Sequence, residues 1–495
     1  MVAIGSRYSL LLGGGLVVVC AVLGLAWQQG AGSESRRGAS TAAPGAPPPG
    51  VVPAPPPERT LRAQASGPNI LLITIDTLRA DHLPAYGYAR KTSPFLSSLA
   101  AGGQRFVHAY ATSAWTAPSM ASLHTSLYPG VHGVTTGSAK RGRVVRQQVL
   151  PKQLPRLAAR LRKVGYRTFG VVANGHLTRR FGFARGFNYY RCVGFRPLRA
   201  VRRTVHEWLP KLQSGSKPWF LWLHLFDPHA AYNRREPFFA QHWPPDQRRF
   251  PELARLDIRP LRKRTLTPEK LEYLKLLYDS EIHHADRFVA WLWQRLPNPE
   301  QALTIVSSDH GEEFHDHLGE PTASTRAGLG HGWTLYQEMI AIPLIMHWKG
   351  TIPPGRVVNT PVSMLDVMPT ILRAAGAGIP FGVQGLVLPL AKDEPPPKER
   401  PLFAENSKHG EVRAVVQGSM KLIRYPNTPA HNALFELATD PQEHRNMLAL
   451  RPLMAKQLGA LLDTYEARRR PRSEPANVQL SPEEQARLRA LDYLQ

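Results

Sequence analysis

In SSDHGEEF an aspartate and a histidine, Asp309 and His310, stand side by side. Such a pair can offer one carboxylate oxygen and one imidazole nitrogen to a single divalent cation. Asp76, directly after the run ILLITI, is a further oxygen ligand for the same ion. The imidazole favours zinc or manganese, while calcium or magnesium would rely on the oxygens. In SAWTAPSMASLHTSLYPGVHG a hydroxyl, Thr116, stands two residues before Pro118. Proline at a first helical position makes Thr116 or Ala117 the residue entering a helix, where unpaired amides favour an anion. Beside a metal, a hydroxyl there can ionise and attack a phosphoryl or sulfuryl centre. From this stretch alone, Thr116 reads more simply as a helix cap. His229 in DPHAAY and His331 in GLGHGWTLY are candidates to bind ester oxygens or protonate a leaving group. Asp227 could hold a second metal or orient His229, and the second role is expected. His224 alternates within its apolar run and reads as core.

The elements that must position these residues follow from the apolar pattern. ILLITI from Ile70, YRTFGVVAN from Tyr166, PWFLWLHLF from Pro218 and ALTIVSS from Ala302 are β-branched or continuous apolar runs, typical of strands buried on both faces. Between them, Leu150 to Val164 and Thr267 to Leu296 read as helices, the second with Thr267 and Pro268 as its start signal. Strands alternating with helices predict an α/β fold with a large, mainly parallel sheet flanked by helices. Ligands bind such sheets outside the carboxyl ends of the strands. Asp76, Asp227, His229, Asp309 and His310 all fall at those ends, which is the strongest signal in the chain.

Composition adds a charge argument. The formal net charge of +25 would attract polyanions: sulfated or phosphorylated glycans, lipid headgroups or nucleic acid. No nucleic-acid-binding motif accompanies it, so no specific nucleic-acid partner is expected. Cys20 and Cys192 are the two cysteines, and Cys20 lies in an apolar N-terminal run, leaving no internal disulfide. That run, Tyr8 to Trp27, is about long enough to cross a hydrocarbon core. It exceeds the apolar part of a cleavable signal and lacks a clean A-x-A site, which favours an uncleaved anchor. Eight prolines from Pro44 to Pro57 predict an extended spacer.

Taken in order, IDTLRADH, TAPSMASLHTSLYPGVHG, HLFDPHAAY, YDSEIHHAD, SSDHGEE and GHGWTLYQEMIAIPLI resemble the sulfatase family of the alkaline-phosphatase superfamily. RAVVQGSMKLIRYP followed by ALFELATDPQEHRNML is similar to that family's small C-terminal subdomain. The resemblance runs from about Pro68 to Leu448. It implies a large α/β domain with a central mixed sheet, then a small antiparallel sheet packed by a helix. Three departures stand out. Sulfatases carry a cysteine or serine in C/S-x-P-x-R, which is converted to formylglycine. Here Thr116 and Met120 hold the two end positions of that motif. Threonine cannot give that aldehyde, because its β-carbon carries a methyl group. Thr77 stands where a second aspartate is expected, and the lysine of the His331 motif is absent, with His331 a possible substitute. This set is similar to the threonine-nucleophile branch of the superfamily, phosphodiesterases and phosphate-group transferases. In that branch a metal is held by one acidic residue, the threonine and an Asp–His pair. The resemblance thus implies one divalent ion on Asp76, Thr116, Asp309 and His310.

The resulting expectation is a metal-dependent hydrolase, or a transferase, of anionic sulfate or phosphate esters. The expected layout is an anchor or signal over 1–27 and a linker over 28–67. A catalytic domain follows over 68–400, then a C-terminal subdomain with a helical tail over 401–495. The body would lie outside the cytoplasm, in the cell envelope or periplasm. The alternative is an inactive relative that binds polyanions there.

Overall fold

ILLITI forms the strand Ile70–Ile75 in the computed structural model, with all six residues buried. Its alternate side chains enter two separate cores: Ile70 and Leu72 pack on one face, Leu71, Ile73 and Ile75 on the other. An apolar run without polar alternation is what burial on both faces requires. The structure describes residues 67–490 apart from 137, 142–143, 196–197, 245, 255–260, 262–263 and 320–327. The expected anchor and nearly all of the spacer lie outside the described residues. Among the described residues, no helix is long and apolar enough to cross a membrane.

The central sheet has eight strands. Across it they run Arg356–Val358, Gln104–Phe106, Leu344–His347, Leu303–Ser308, Ile70–Ile75, Trp219–Leu225, Arg167–Val172 and Tyr189–Cys192. Leu344–His347 is antiparallel to its neighbours and the others are parallel to one another, so the sheet is mixed and mainly parallel, as expected. Register sets the site. Ile75 lies opposite Leu225 on one side and Ser308 on the other, and Val172 lies opposite His224. Asp76, Asn174, Asp227 and Asp309 therefore leave the sheet at one edge.

The helix Pro268–Trp293 begins where its start signal lies, with the Thr267 side chain accepting from Lys270 N. The predicted helix over Leu150 to Val164 is shorter and spans Leu157–Lys163. Pro155 disfavours a helical residue before it. The Arg156 guanidinium also donates to the carbonyls of Leu150, Pro151, Leu154 and Pro155, stabilising the non-helical turn instead.

Leu402–Asn406, Val412–Gln417, Met420–Arg424 and Ala433–Glu436 form an antiparallel sheet. The helix Pro452–Ala467 covers one face of it, with Leu458 and Leu462 against Val415, Leu422 and Leu434. Ala404, Val412 and Ala414 on the other face join the core of the large sheet. Two buried carboxylates fix this seam. Glu405 accepts from Gly130 N, from Tyr465 Oη at 3.1 Å and from Arg469 Nε. Glu443 pairs with Lys421 Nζ at 2.8 Å, both fully buried, and accepts from Gln337 N.

Candidate active site

The site grows from the strand ends. At the end of Leu303–Ser308, Asp309 Oδ1 accepts from the amides of Thr77 and His310, at 3.1 and 2.9 Å. Its other oxygen, Oδ2, is buried without a hydrogen-bond partner, and so is Asp76 Oδ1. His310 Nδ1 faces Gly311 O at 2.9 Å, and since a carbonyl only accepts, that nitrogen carries the proton. Nε2 is left with its lone pair, 3.7 Å from Asp76 Oδ1 and 3.3 Å from Asp309 Oδ2. Gly311 must be glycine here, because a Cβ would meet Glu338 O at 1.9 Å.

Two orphaned carboxylate oxygens and an imidazole lone pair lie within 4.8 Å of one another, all fully buried. Electrostatics point the same way. Burial would raise the Asp76 carboxyl, but the hydrogen bond from His224 and the imidazoles of His229 and His310 hold it well below the carboxylate range. Burial and the charge of Asp76 push Asp309 up to about 6. Two neighbouring buried carboxylates cannot both ionise comfortably without added positive charge. A divalent cation supplies it, and the donor set of two carboxylates and one imidazole fits one.

Thr116 belongs to this cluster. It is the first residue of the helix Thr116–Thr125, so Pro118 is third in the helix and not first. Extended Trp115 precedes it, and no side chain caps the helix. The Thr116 hydroxyl instead lies 3.4 Å from His310 Nε2 and accepts from Asn174 Nδ2 at 3.3 Å. The simple capping reading is thereby corrected.

His331 and His229 join the same group. Their rings are 4.9 Å apart, and the His331 ring is 4.5 Å from that of His310. His331 Nδ1 lies 3.0 Å from Glu312 Oε1, which fixes the orientation of its ring. His229 stacks on Phe226 at 4.4 Å, and its Nδ1 donates to Ala230 O at 2.6 Å. Burial lowers the His229 imidazole, against the pull of Asp76 and the Ala230 carbonyl. Asp227 differs from its expected role. Its oxygens accept from Leu198 N and Arg235 Nη2, both at 3.1 Å, so it holds the start of the helix Leu198–Gln213.

Sequence reading missed two residues. Asn174 Nδ2 donates to Asp76 Oδ2 at 2.8 Å as well as to Thr116, tying that carboxylate to the hydroxyl. It closes the run YRTFGVVAN, and the strand-end rule would have found it. His224, read as core, is fully buried but lies 3.4 Å from Asp76 Oδ2. The motif around Asp279 is scaffolding. Tyr278 Oη donates to Thr77 O and accepts from Arg79 N. Asp279 accepts from Tyr88 and Arg90 and contacts His82, and Ser280 and Glu281 hold the backbone of Arg235 and Asn233.

The fold agrees with comparisons to known proteins. The Sulfatase family model matches residues 68–377, and the model for the C-terminal part of N-sulphoglucosamine sulphohydrolase matches 330–464. The chain belongs to the sulfatase family, a family of sulfuric ester hydrolases. It is 26% identical to human arylsulfatase A, over 78% of this chain and 84% of that protein. It is 21% identical to the N-acetylgalactosamine-6-O-sulfatase of Bacteroides thetaiotaomicron, over 81% and 93%. The fold is also that of the phosphonate monoester hydrolase of Agrobacterium radiobacter, with TM-score 0.64, 20% identity, and coverage of 84% of this chain and 100% of that one.

Proposed function

We propose that this chain is a metal-dependent hydrolase of anionic esters in which Thr116 is the nucleophile. The observation that carries the reading is the placement of its hydroxyl. It caps no helix and sits between Asn174 and His310, against the Asp76–Asp309 pair. Asp76, Asp309, His310 and Thr116 Oγ1 would hold one divalent ion, which when bound favours the ionised hydroxyl and offsets the charge of the ester. Asn174 keeps the hydroxyl oriented. Thr116 Oγ1, its proton released to solvent on ionising, forms a bond to the phosphorus or sulfur, the bond to the leaving oxygen breaks, and His331, held by Glu312, gives that oxygen a proton. His229, whose imidazole burial keeps neutral and whose Nδ1 donates to Ala230 O, takes at Nε2 a proton from the water that releases the group from Thr116.

Phosphate esters are favoured over sulfate, because fully buried Met120 lacks the charge of the arginine its position implies. A relative named for a sulfated sugar and a phosphonate hydrolase with the same fold fit an anionic ester as the common substrate class. The layout carried forward is an anchor over 1–27 and a spacer over 28–67 holding the body, 68–400 and 401–495, in the cell envelope.

The test measures turnover and thermal unfolding on the same variants. Thr116→Ala should lose turnover with little loss of stability, whereas Thr116→Ser should keep part of the activity. A capping role alone would cost about 0.5–2 kcal/mol of stability and leave catalysis intact. Full turnover by Thr116→Ala ends the proposal. A metal-loaded wild type that turns over no sulfate, phosphate or phosphonate ester would leave the polyanion-binding reading.

A further inference from the structure

The large domain puts carboxylates and imidazoles around Thr116, but the sulfatase lysine of the His331 motif is missing, and Met120 brings no charge. A cation reaches the site from elsewhere. The strands Leu402–Asn406 and Val412–Gln417 of the C-terminal sheet are joined by a loop that carries Lys408. Its Nζ lies 5.0 Å from the ring centre of Trp115, the residue immediately before Thr116. On the other side it borders Gly332, the residue immediately after His331. A Cβ there would lie 3.5 Å from Lys408 Cδ and 3.8 Å from its Nζ. The ammonium is thus bracketed by the backbone neighbours of the proposed nucleophile and of the proposed proton donor. Its charge is felt in the site, where it works with burial to lower His229 and His176.

The loop is fixed for this. Buried Asn406 donates to Gly332 O at 2.6 Å and accepts from Lys408 N at 3.2 Å, so one side chain ties the His331 loop to the Lys408 loop. His409 stacks on Trp333 with ring centres 3.6 Å apart. Gly332 has φ +86°, a left-handed conformation that disfavours other residues, and a Cβ there would also crowd the lysine. Lys408 itself is only partly buried, so its head can meet a ligand entering the site.

We infer that Lys408, supplied by the C-terminal subdomain, binds the non-bridging oxygens of the ester and makes that subdomain a working part of the site. The inference rests on the proposed anionic-ester reading and names the residue that recognises the anion. An ammonium is a compact point charge suited to a phosphate oxygen.

The test uses the full chain with its metal, and compares wild type, Lys408→Met and Lys408→Arg. Inorganic phosphate is titrated by calorimetry, with no turnover required, and KM and kcat are then measured on the best ester. Lys408→Met should weaken phosphate binding and raise KM by about ten- to a hundredfold, the range of a lost charged hydrogen bond. Lys408→Arg should recover most of that loss, which mere loosening of the loop would not allow. Phosphate binding and KM within about twofold of wild type in Lys408→Met would overturn the inference while leaving the Thr116 chemistry standing. Phosphate binding that depends on Lys408, in a protein that turns over no ester, would support it and sink the Thr116 chemistry instead.

Discussion

Asn174 is the residue whose importance is easiest to overlook, because an amide brings no charge and binds no metal in the expected set. Its position argues otherwise. It donates to Asp76 Oδ2 and to Thr116 Oγ1 at once, and its own Oδ1 is fixed by His176 N at 2.9 Å. Residues that orient metal ligands typically control affinity by about ten- to a hundredfold. Asn174→Ala should therefore weaken the metal by about that factor in chelator competition, without removing a ligand. An unchanged metal affinity would make Asn174 a helper of the hydroxyl alone. Asp309→Asn is the stronger change, since it removes a charge from the set itself. Metal content should fall sharply, and an unaltered content would mean the ion sits elsewhere.

The long helix Pro268–Trp293 shows how an element carries a site without touching substrate. From its middle turns Tyr278 holds the Thr77 backbone, and Glu281 and Ser280 hold the segment after His229. One turn on, Asp286 accepts from Phe95 N and Leu96 N and so anchors the start of the helix Pro94–Ala101. Burial pushes Asp286 up from 3.8 to about 6, while those two amides oppose the shift. The folded state therefore binds this proton more tightly than the unfolded one. Its contribution is full below about pH 4 and is lost as pH rises through about 6, by at most about 3 kcal/mol. Asp286→Asn cannot titrate, so its stability deficit relative to wild type should be larger at pH 4 than at pH 7. Parallel denaturation curves at the two pH values check it, and an equal deficit would place the titration elsewhere. In the C-terminal subdomain, Lys421 and Glu443 are each 0% exposed, and burial lowers the lysine and raises the glutamate. Removing one partner leaves an uncompensated charge, so Lys421→Met should cost about 3–5 kcal/mol in chemical denaturation. A loss below about 1 kcal/mol would mean the pair is not closed in solution.

Across the whole molecule, the site draws on strand ends at Asp76, Asn174, His229 and Asp309, the helix start at Thr116, and the loops of His331 and Lys408. The strand ends at Asp76, His229 and Asp309 were legible in the sequence, because runs such as ILLITI and ALTIVSS are pure enough in apolar residues to mark both the strand and the polar residue that ends it. Asn174, which closes YRTFGVVAN, was passed over because an amide is neither a charge nor an expected ligand. The order of the sheet was not legible, since periodicity is blind to which strand pairs with which. His224 is core, as read, but its contact with Asp76 was not legible for a related reason: alternation reports burial and is silent on a buried carboxylate beside the histidine. Asp227 lay at the right edge but its partners, Leu198 N and Arg235, come from segments whose approach no local pattern encodes. Lys408 is the extreme case. It lies 292 positions after Thr116 in the numbering and meets Trp115 only because Glu405 and Asn406 dock the small sheet on the large domain. A chain starting at Ser66 retains every one of these segments, so it should fold and bind metal as the full chain does; failure of either would show that the residues before it take part in the body. The claim on which all of this converges is that Thr116 carries the substrate's anionic group during turnover. The direct measurement is to quench the metal-loaded enzyme during turnover of a phosphate ester and map modified peptides by mass spectrometry. A phosphoryl group on Thr116, absent from Thr116→Ala and accumulating when His229 is replaced, is the predicted result. Turnover with no covalent group on Thr116, or with the group on another residue, would contradict the account.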